Sequence, residues 1–334
     1  MAGEGRLCVG LVTYHSAADL PACLHALAAQ NIPLRLLAWD NASSDDSAAW
    51  LEGQSPIPVD LIRSPQNVGY GRAHNALIQR AALRPGDAYL ALNPDVILAP
   101  DYCARLWQGL REEGAGWGTG LLLRRDDPAT LYSAGHAVQR DGYAFHIGAG
   151  LPDAPRWAQT RAIFGAPGCA ALYTAEFLRD VAADGEIFDA RFFLYGEDVD
   201  LDWRGQRRGW RCLCVGAARA EHRGSVPTPE MRALALAHRH LSALKNAHWL
   251  DLFTRHLPLL GAHVLLRLLL TPRQGARMAR LILRYGPGMR KKRLADRASR
   301  AQMLDWFAWA GQQPTQQPRR LSERWRAFRS GSAG

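Results

Sequence analysis

The chain has 334 residues, of which 48% are hydrophobic and 22% charged, the texture of an ordinary globular protein with room for one large domain or two smaller ones. Its net charge of +10 is uneven: residues 255–334 hold 17 basic and 3 acidic side chains, the first 254 hold 24 and 28, so the positive charge belongs to a C-terminal tail. No apolar run approaches the ~18 residues that span a bilayer, no N-terminal stretch reads as a signal peptide, and six scattered cysteines without a CxxC pair read as buried thiols of a reducing cytosol.

Along the first third, strand and helix signals alternate. Residues 7–14 are β-rich, 19–30 carry helical periodicity, and 34–39 form a short apolar strand. Residues 44–52 suit a helix capped by Ser43 or Ser44, 59–62 a strand, 70–83 a helix opened by Gly69-Tyr70-Gly71, and 88–92 another strand. This order predicts an α/β fold with a mostly parallel, Rossmann-like sheet and helices on both faces. Ligands of such sheets collect at the carboxyl ends of strands, where Thr13-Tyr14-His15, Asp40-Asn41, Asn67 and Asn93-Pro94-Asp95 fall.

Residues 114–165, rich in Gly, Pro and Asp, read as an irregular hairpin-rich insertion. Residues 170–173 are strand-like and 174–182 a short helix. Residues 197–208 form a helix with acids at its start and Gly209 as its C-cap. Residues 210–215 give a last strand, with Cys212 and Cys214 on one face and His222 beyond its end. A long amphipathic helix over 230–253 follows, then basic, Leu-rich helices and a polar linker at 312–318. The expected organisation is a domain over 1–226, with halves of about 1–112 and 113–226, and a basic helical region over 227–334.

Two acidic motifs carry the chemistry. In Leu92-Asn93-Pro94-Asp95-Val96, Pro94 bars Asn93 from the α region, so the chain turns and presents polar side chains at a strand tip. A plain turn is the alternative reading. One acid there is enough for a divalent cation whose shell diphosphate oxygens complete. In Phe192-Phe193-Leu194-Tyr195-Gly196-Glu197-Asp198-Val199-Asp200-Leu201-Asp202, four carboxylates fall within six residues after an aromatic run. Macrodipole complementation accounts for an acid or two. The aromatic wall beside Glu197 and Asp198 points further, to a base that deprotonates an incoming nucleophile. Asp200 and Asp202 are assigned to the solvated face or to pairing with Arg204 and Arg207. Gly69-Tyr70-Gly71-Arg72-Ala73-His74 lacks the last glycine of a dinucleotide fingerprint and follows the third strand, which counts against a nicotinamide enzyme.

In this order the motifs resemble a family 2 glycosyltransferase of the GT-A fold, in particular the bacterial rhamnosyltransferase-like branch that builds cell-surface polysaccharides such as O-antigen. The match rests on Val12-Thr13-Tyr14, Asp40-Asn41-Ala42-Ser43-Ser44-Asp45, Asn67-Val68-Gly69-Tyr70-Gly71 with Asn75, and the 92–96 segment. It continues through Gly168-Cys169-Ala170-Ala171, the 188–201 segment, Gly209-Trp210, and His222 with Ser225. The resemblance implies that Thr13, Tyr14 and Asp40 contact the donor nucleotide, with Asn67, Gly71, Asn75, Asn93 and Asp95 completing the donor site. It also implies that Asp95 and His222 hold Mg2+ or Mn2+, that Asp198 is the catalytic base, and that Glu197 holds the acceptor or orients Asp198. Two departures stand out: His15 where the branch has Asn, and Arg239-His240 where Arg-Asn is usual.

The activity this implies is metal-dependent, inverting transfer of a sugar, rhamnose from dTDP-rhamnose first, from a nucleotide sugar to a hydroxyl of a glycan or lipid-linked glycan. A sugar-phosphate nucleotidyltransferase is the alternative enzyme, though residues 13–18 lack its Gly-rich, basic loop. A nucleic-acid-binding protein is the non-enzymatic alternative, since the tail would give salt-dependent phosphate affinity. Yet the tail interleaves Leu, Trp and Phe with Arg at helical spacing, which suits an anionic membrane surface. The expectation is therefore a cytoplasmic protein, peripheral on the cytoplasmic face of the inner membrane, with no nucleic-acid partner. Packing of the Leu-rich helices on the catalytic domain is the plain alternative.

Overall fold

The computed structural model describes residues 5–224 and 227–317; Ser225, part of the sequence match, and the tail from Pro318 lie outside the described residues. In chain order the elements begin with β1 (Leu7–Thr13), α1 (Leu20–Ala28), β2 (Leu34–Asp40), α2 (Ser47–Ala49), β3 (Val59–Arg63), α3 (Tyr70–Ala81), β4 (Ala88–Leu92), β5 (Val96–Leu98) and α4 (Tyr102–Glu112). Then come β6 (Trp117–Arg124), β7 (Leu131–Ser133), β8 (His136–Val138), β9 (Ala144–His146), β10 (Arg161–Ile163), β11 (Ala170–Thr174), α5 (Ala175–Val181), α6 (Glu197–Arg207) and β12 (Cys212–His222). The C-terminal helices are α7 (Pro229–Asn246), α8 (Trp249–Asp251), α9 (Leu257–Leu270), α10 (Pro272–Met289) and α11 (Arg300–Gln312).

One sheet dominates, in the order β10-β12-β6-β11-β4-β1-β2-β3. The strands β3, β2, β1 and β4 pair in parallel, as the alternating pattern predicts. Beyond β4 the pairing is mixed: β11 runs antiparallel to both β4 and β6, and β12 parallel to β6. Strand alternation builds two cores. Leu90 and Leu92 of β4 join Val9, Leu11, Leu24 and Leu106 on one face, while Tyr89 and Ala91 join Trp117, Phe177 and Leu201 on the other.

Four expectations need correction. Residues 117–124 are not part of a peripheral insertion but a buried strand inside the sheet. Their glycines mark close approach rather than a loop, because a Cβ on Gly118 would lie 2.4 Å from the Leu213 carbonyl oxygen. The helix over 44–52 shrinks to α2 followed by a wider π-helical turn over Trp50–Gln54. Ser43 does not cap it; its hydroxyl accepts from His15 N at 3.1 Å. The last strand extends to His222, so that histidine ends β12 rather than lying past it. The helix over 230–253 stops at Asn246, where Ala247 is extended and His248 caps the next turn.

Candidate functional site

Asp95 and His222 meet at the carboxyl edge of the sheet. Residues 93–95 turn from β4 into β5, and β5 pairs with the end of β12, setting Val96 opposite His222. Asp95 Oδ2 lies 3.2 Å from His222 Nε2. Burial disfavours charge on both. The hydrogen bond and charge of His222 nevertheless hold Asp95 below the usual carboxylate range. Against the same burial, Cys169 and then Asp95 raise His222 to about 10. His222 Nδ1 is buried without a hydrogen-bond partner. One carboxylate and one imidazole, the latter with an orphaned nitrogen, form a donor set that fits a divalent cation only if His222 gives up its proton and donor phosphates complete the shell. Among the described residues no three His, Cys, Asp or Glu side chains are grouped to hold an ion by themselves.

Asp198 and Glu197 open α6, where the chain arrives through Tyr195 and Gly196, both with positive φ of 64° and 94°. Asp198 Oδ2 accepts from Gly168 N at 3.1 Å and Oδ1 from Val199 N at 2.8 Å. Next to Gly168, the Cys169 carbonyl accepts from Asn93 N at 2.8 Å. The 168–169 step thus joins Asp198 to the turn that carries Asp95. Glu197 is buried, and its Oε2 has no partner. Burial, then the charge of Asp198, pushes its carboxyl well above the ordinary range, so it stands as a neutral acid.

The start of α3 packs against the segment that leads to the acids. Gly69 has φ 85°, and a Cβ there would sit 2.4 Å from the Phe193 carbonyl oxygen, which accepts from Tyr70 N. Gly71 lets Phe188 approach, and Tyr70 donates its hydroxyl to the Gly168 carbonyl at 2.6 Å. Asn67 accepts from Gly69 N and shapes this turn. Asn75 is engaged at both ends of its amide by the backbone of Ile187 and Phe188, so it anchors the segment that leads to the acids. At the ends of β1 and β2, Thr13 donates to the buried Asp40 Oδ1 at 3.0 Å, and Ser43 N donates to Asp40 Oδ2. Tyr14 is half exposed beside them. His15 takes a left-handed φ of 52° and accepts from Ser44 N.

Asp200 and Asp202 are fully buried, not solvated. Asp200 does pair with Arg204, as expected, but also with Lys245 and Asn246 of α7. Asp202 binds Trp117, Ala166 N and His136 rather than Arg207. Sequence reasoning missed two further residues of α7. Lys245 bridges Asp189 and Asp200. His238 donates from Nδ1 to the carbonyls of Tyr195 and Leu194, at 2.6 and 3.1 Å, directly before the acids. A polar residue on an amphipathic helix gives no signal of such a distant partner.

Residues 8–181 match the family described as Glycosyl transferase family 2. The chain belongs to that family. It is 29% identical over 247 residues to N-acetylglucosaminyl-diphospho-decaprenol L-rhamnosyltransferase of Mycobacterium tuberculosis, a match covering 69% of this chain and 80% of that one. Among solved structures, it resembles the mannosyltransferase PcManGT from Pyrobaculum calidifontis with GDP-Man and Mn2+, at a TM-score of 0.52 and 15% identity over 99% of this chain and 84% of that one. It also resembles residues 1–349 of S. aureus TarS, at 0.51 and 12% over 98% and 92%. GalNAc-T7 with UDP, GalNAc and Mn2+ matches at 0.52 and 14% over 72% of this chain, which spans about half the length of that protein. The glycosyltransferase therefore has the GT-A fold with a helical C-terminal region, and its family includes a rhamnosyltransferase relative.

Proposed function

We propose that this glycosyltransferase moves a sugar, rhamnose from dTDP-rhamnose as first choice, from a nucleotide sugar to a hydroxyl of a glycan or lipid-linked glycan, with inversion. The observation that carries the reading is the joining of Asp198 and the Asp95–His222 pair through the 168–169 step. The name of the mycobacterial relative supports rhamnose and a lipid-linked acceptor. Thr13, Tyr14, Asp40, Asn67, Gly71, Asn93 and Asp95 form the donor side in this proposal, with Asn75 acting through the segment it anchors.

Asp198 takes the proton of the acceptor hydroxyl as that oxygen attacks the anomeric carbon. The bond from that carbon to the diphosphate oxygen breaks on the opposite face, and the nucleoside diphosphate leaves with the bonding pair. One displacement gives inversion without a glycosyl-enzyme. Glu197, neutral in its buried setting, holds the acceptor or orients Asp198. Asp95 and His222 would hold Mg2+ or Mn2+, which when bound offsets charge on the leaving diphosphate.

The division near residue 226 into a transferase unit and a basic helical region is proposed as a division of tasks, since Lys245 of the second is buried in the first. The helical region brings the protein to the cytoplasmic face of the inner membrane, where a lipid-linked acceptor would be met. No described helix is long and apolar enough to cross a membrane. A panel of nucleotide sugars, each with Mn2+ or Mg2+, scored for thermal stabilisation and slow release of nucleoside diphosphate, tests the donor side. Preference for dTDP-rhamnose is the expected result; stabilisation by a different sugar alone overturns that choice.

A further inference from the structure

Behind Asp198 lies a second carboxylate with its own histidine. Asp202 is one turn further along α6, so both acids face the 165–168 loop. Asp198 accepts from Gly168 N, and Asp202 Oδ1 accepts from Ala166 N at 3.1 Å and from Trp117 Nε1 at 2.8 Å. Asp202 Oδ2 lies 3.1 Å from His136 Nδ1. His136, at the start of β8, donates its backbone N to the Gly165 carbonyl at 2.7 Å. A Cβ at Gly165 would fall 1.9 Å from Asp202 Oδ2, so the pair requires a glycine there. Both side chains are buried.

We propose that the His136–Asp202 pair is a positioning device for Asp198, fixing the loop that orients its carboxylate. This rests on the reading of Asp198 as the base. Burial opposes charge on His136, but the hydrogen bond to Asp202, then the charge of Asp198, then that of Asp202, outweigh it and raise its proton affinity. Burial lifts Asp202 to about 6, even with His136 beside it. His146 of β9 is the other titratable ring against His136, 4.9 Å between centroids, and burial keeps it neutral. Around Asp198, Glu197 of α6, Tyr70 of α3, Tyr132 of β7 and Tyr173 of β11 feel its charge, and burial holds all four protonated.

The test has one arm that needs no substrate. In the full chain, imidazole resonances are followed by NMR against pH, with the His136 signal identified by its loss in His136→Gln. Asp198→Asn is expected to lower the proton affinity of His136 at least about threefold, half a pH unit. An unmoved titration overturns the proposal. In the second arm, nucleoside diphosphate release is measured against pH with whichever nucleotide sugar turns over. His136→Gln should lower kcat at least about tenfold, with melting and the donor KM within a few fold of wild type. A kcat that matches wild type overturns the proposal, as does a loss of donor affinity in step with the loss of rate. If Asp198→Asn keeps its activity, the base assignment fails instead, and the NMR arm still reports whether the two groups are coupled.

Discussion

Lys245 Nζ donates to Asp200 Oδ2 and to Asp189 Oδ2, both at 2.8 Å, with all three side chains buried. Asp200 lies on α6 just past the acids, and Asp189 stands before the aromatic run, so one cation from the C-terminal region ties both flanks of the 189–200 segment. Burial opposes the charge of Asp189, but Arg191 and Lys245 hold its carboxyl far below the ordinary range. A depressed carboxyl adds stability that is present above its unfolded value and is lost as pH falls. Lys245→Met removes the shared cation but leaves Asp189 with Arg191 and Asp200 with Arg204, and should cost about 1–3 kcal/mol at pH 7. The gap should narrow in acid as the two carboxylates protonate. Guanidinium unfolding of both proteins at pH 7 and pH 4 measures this; a loss below about 1 kcal/mol would mean that the network is dispensable.

Asp198→Asn should lower transfer by ~10²–10⁴ while leaving donor affinity nearly intact. The amide oxygen can still accept from Gly168 N or Val199 N, which Asp198 holds in the native site, so melting should change little. Rate and nucleotide affinity measured on one preparation separate lost chemistry from lost binding. Turnover above a small fraction of wild type removes Asp198 as the base.

Much of the donor side was legible because it depends on local rules. The continuous apolar run of β1, which stops at Thr13, and the Asn-Pro-Asp break after β4 each announce a strand end, and in parallel sheets strand ends collect ligands. What escaped depends on contacts distant in sequence. Asp202 at the start of an acidic helix looks solvated until Trp117 and His136 meet it. Trp117–Arg124 reads as a loop because its glycines admit neighbouring backbone, which only the assembled sheet reveals. The break at Ala247 lacks Gly or Pro; its restart is capped by His248, whose Nδ1 accepts from Leu250 N, and histidine is not among the usual helix starters.

Glu197 should make the protein less stable as pH rises. Its folded carboxyl is raised above the ordinary glutamate value of 4.5 by burial and then by Asp198. Between those two values the folded state keeps a proton that the unfolded chain has released, so stability declines by up to about 1.4 kcal/mol per pH unit. Glu197→Gln stays neutral and should gain on wild type progressively from about pH 5 upward. Denaturation from pH 5 to pH 8 tests it; parallel curves would show Glu197 ionised or exposed in the native protein.

Asp95→Ala and His222→Ala should each weaken Mn2+-dependent binding of dTDP by at least about tenfold, with metal-free binding unchanged. The motive is the 3.2 Å approach of the two side chains at one strand edge. Titration calorimetry with dTDP, with and without Mn2+, measures it. If His222→Ala binds as wild type does while Asp95→Ala does not, His222 serves Asp95 structurally and is not a ligand.

Among the described residues, ten of the twelve most exposed large apolar side chains lie between Trp249 and Leu283. Such concentration marks a surface with a partner, because scattered apolar residues are normal and a contiguous ledge is not. The helix α9 has no buried residue and exposes Leu265, Leu266, Leu268, Leu269 and Leu270. Packing within the helical region accounts for part of it, since α10 contacts α7 and buries Met278 and Met289. It leaves the leucine face of α9 uncovered. Arg273, Arg277, Arg280 and Arg284 follow on α10, all exposed. Each basic group near an anionic surface is worth ~1 kcal/mol, and an inserted apolar face adds to it. Full-length protein should therefore float with anionic liposomes at low salt and release in part as salt rises. Leu265→Glu with Leu269→Glu should abolish flotation without changing melting, because neither side chain is packed. Reversing Arg277 and Arg280 to Glu should weaken it and remove its salt dependence. If the wild type stays in the soluble fraction at low salt, the membrane proposal fails, whatever the variants do.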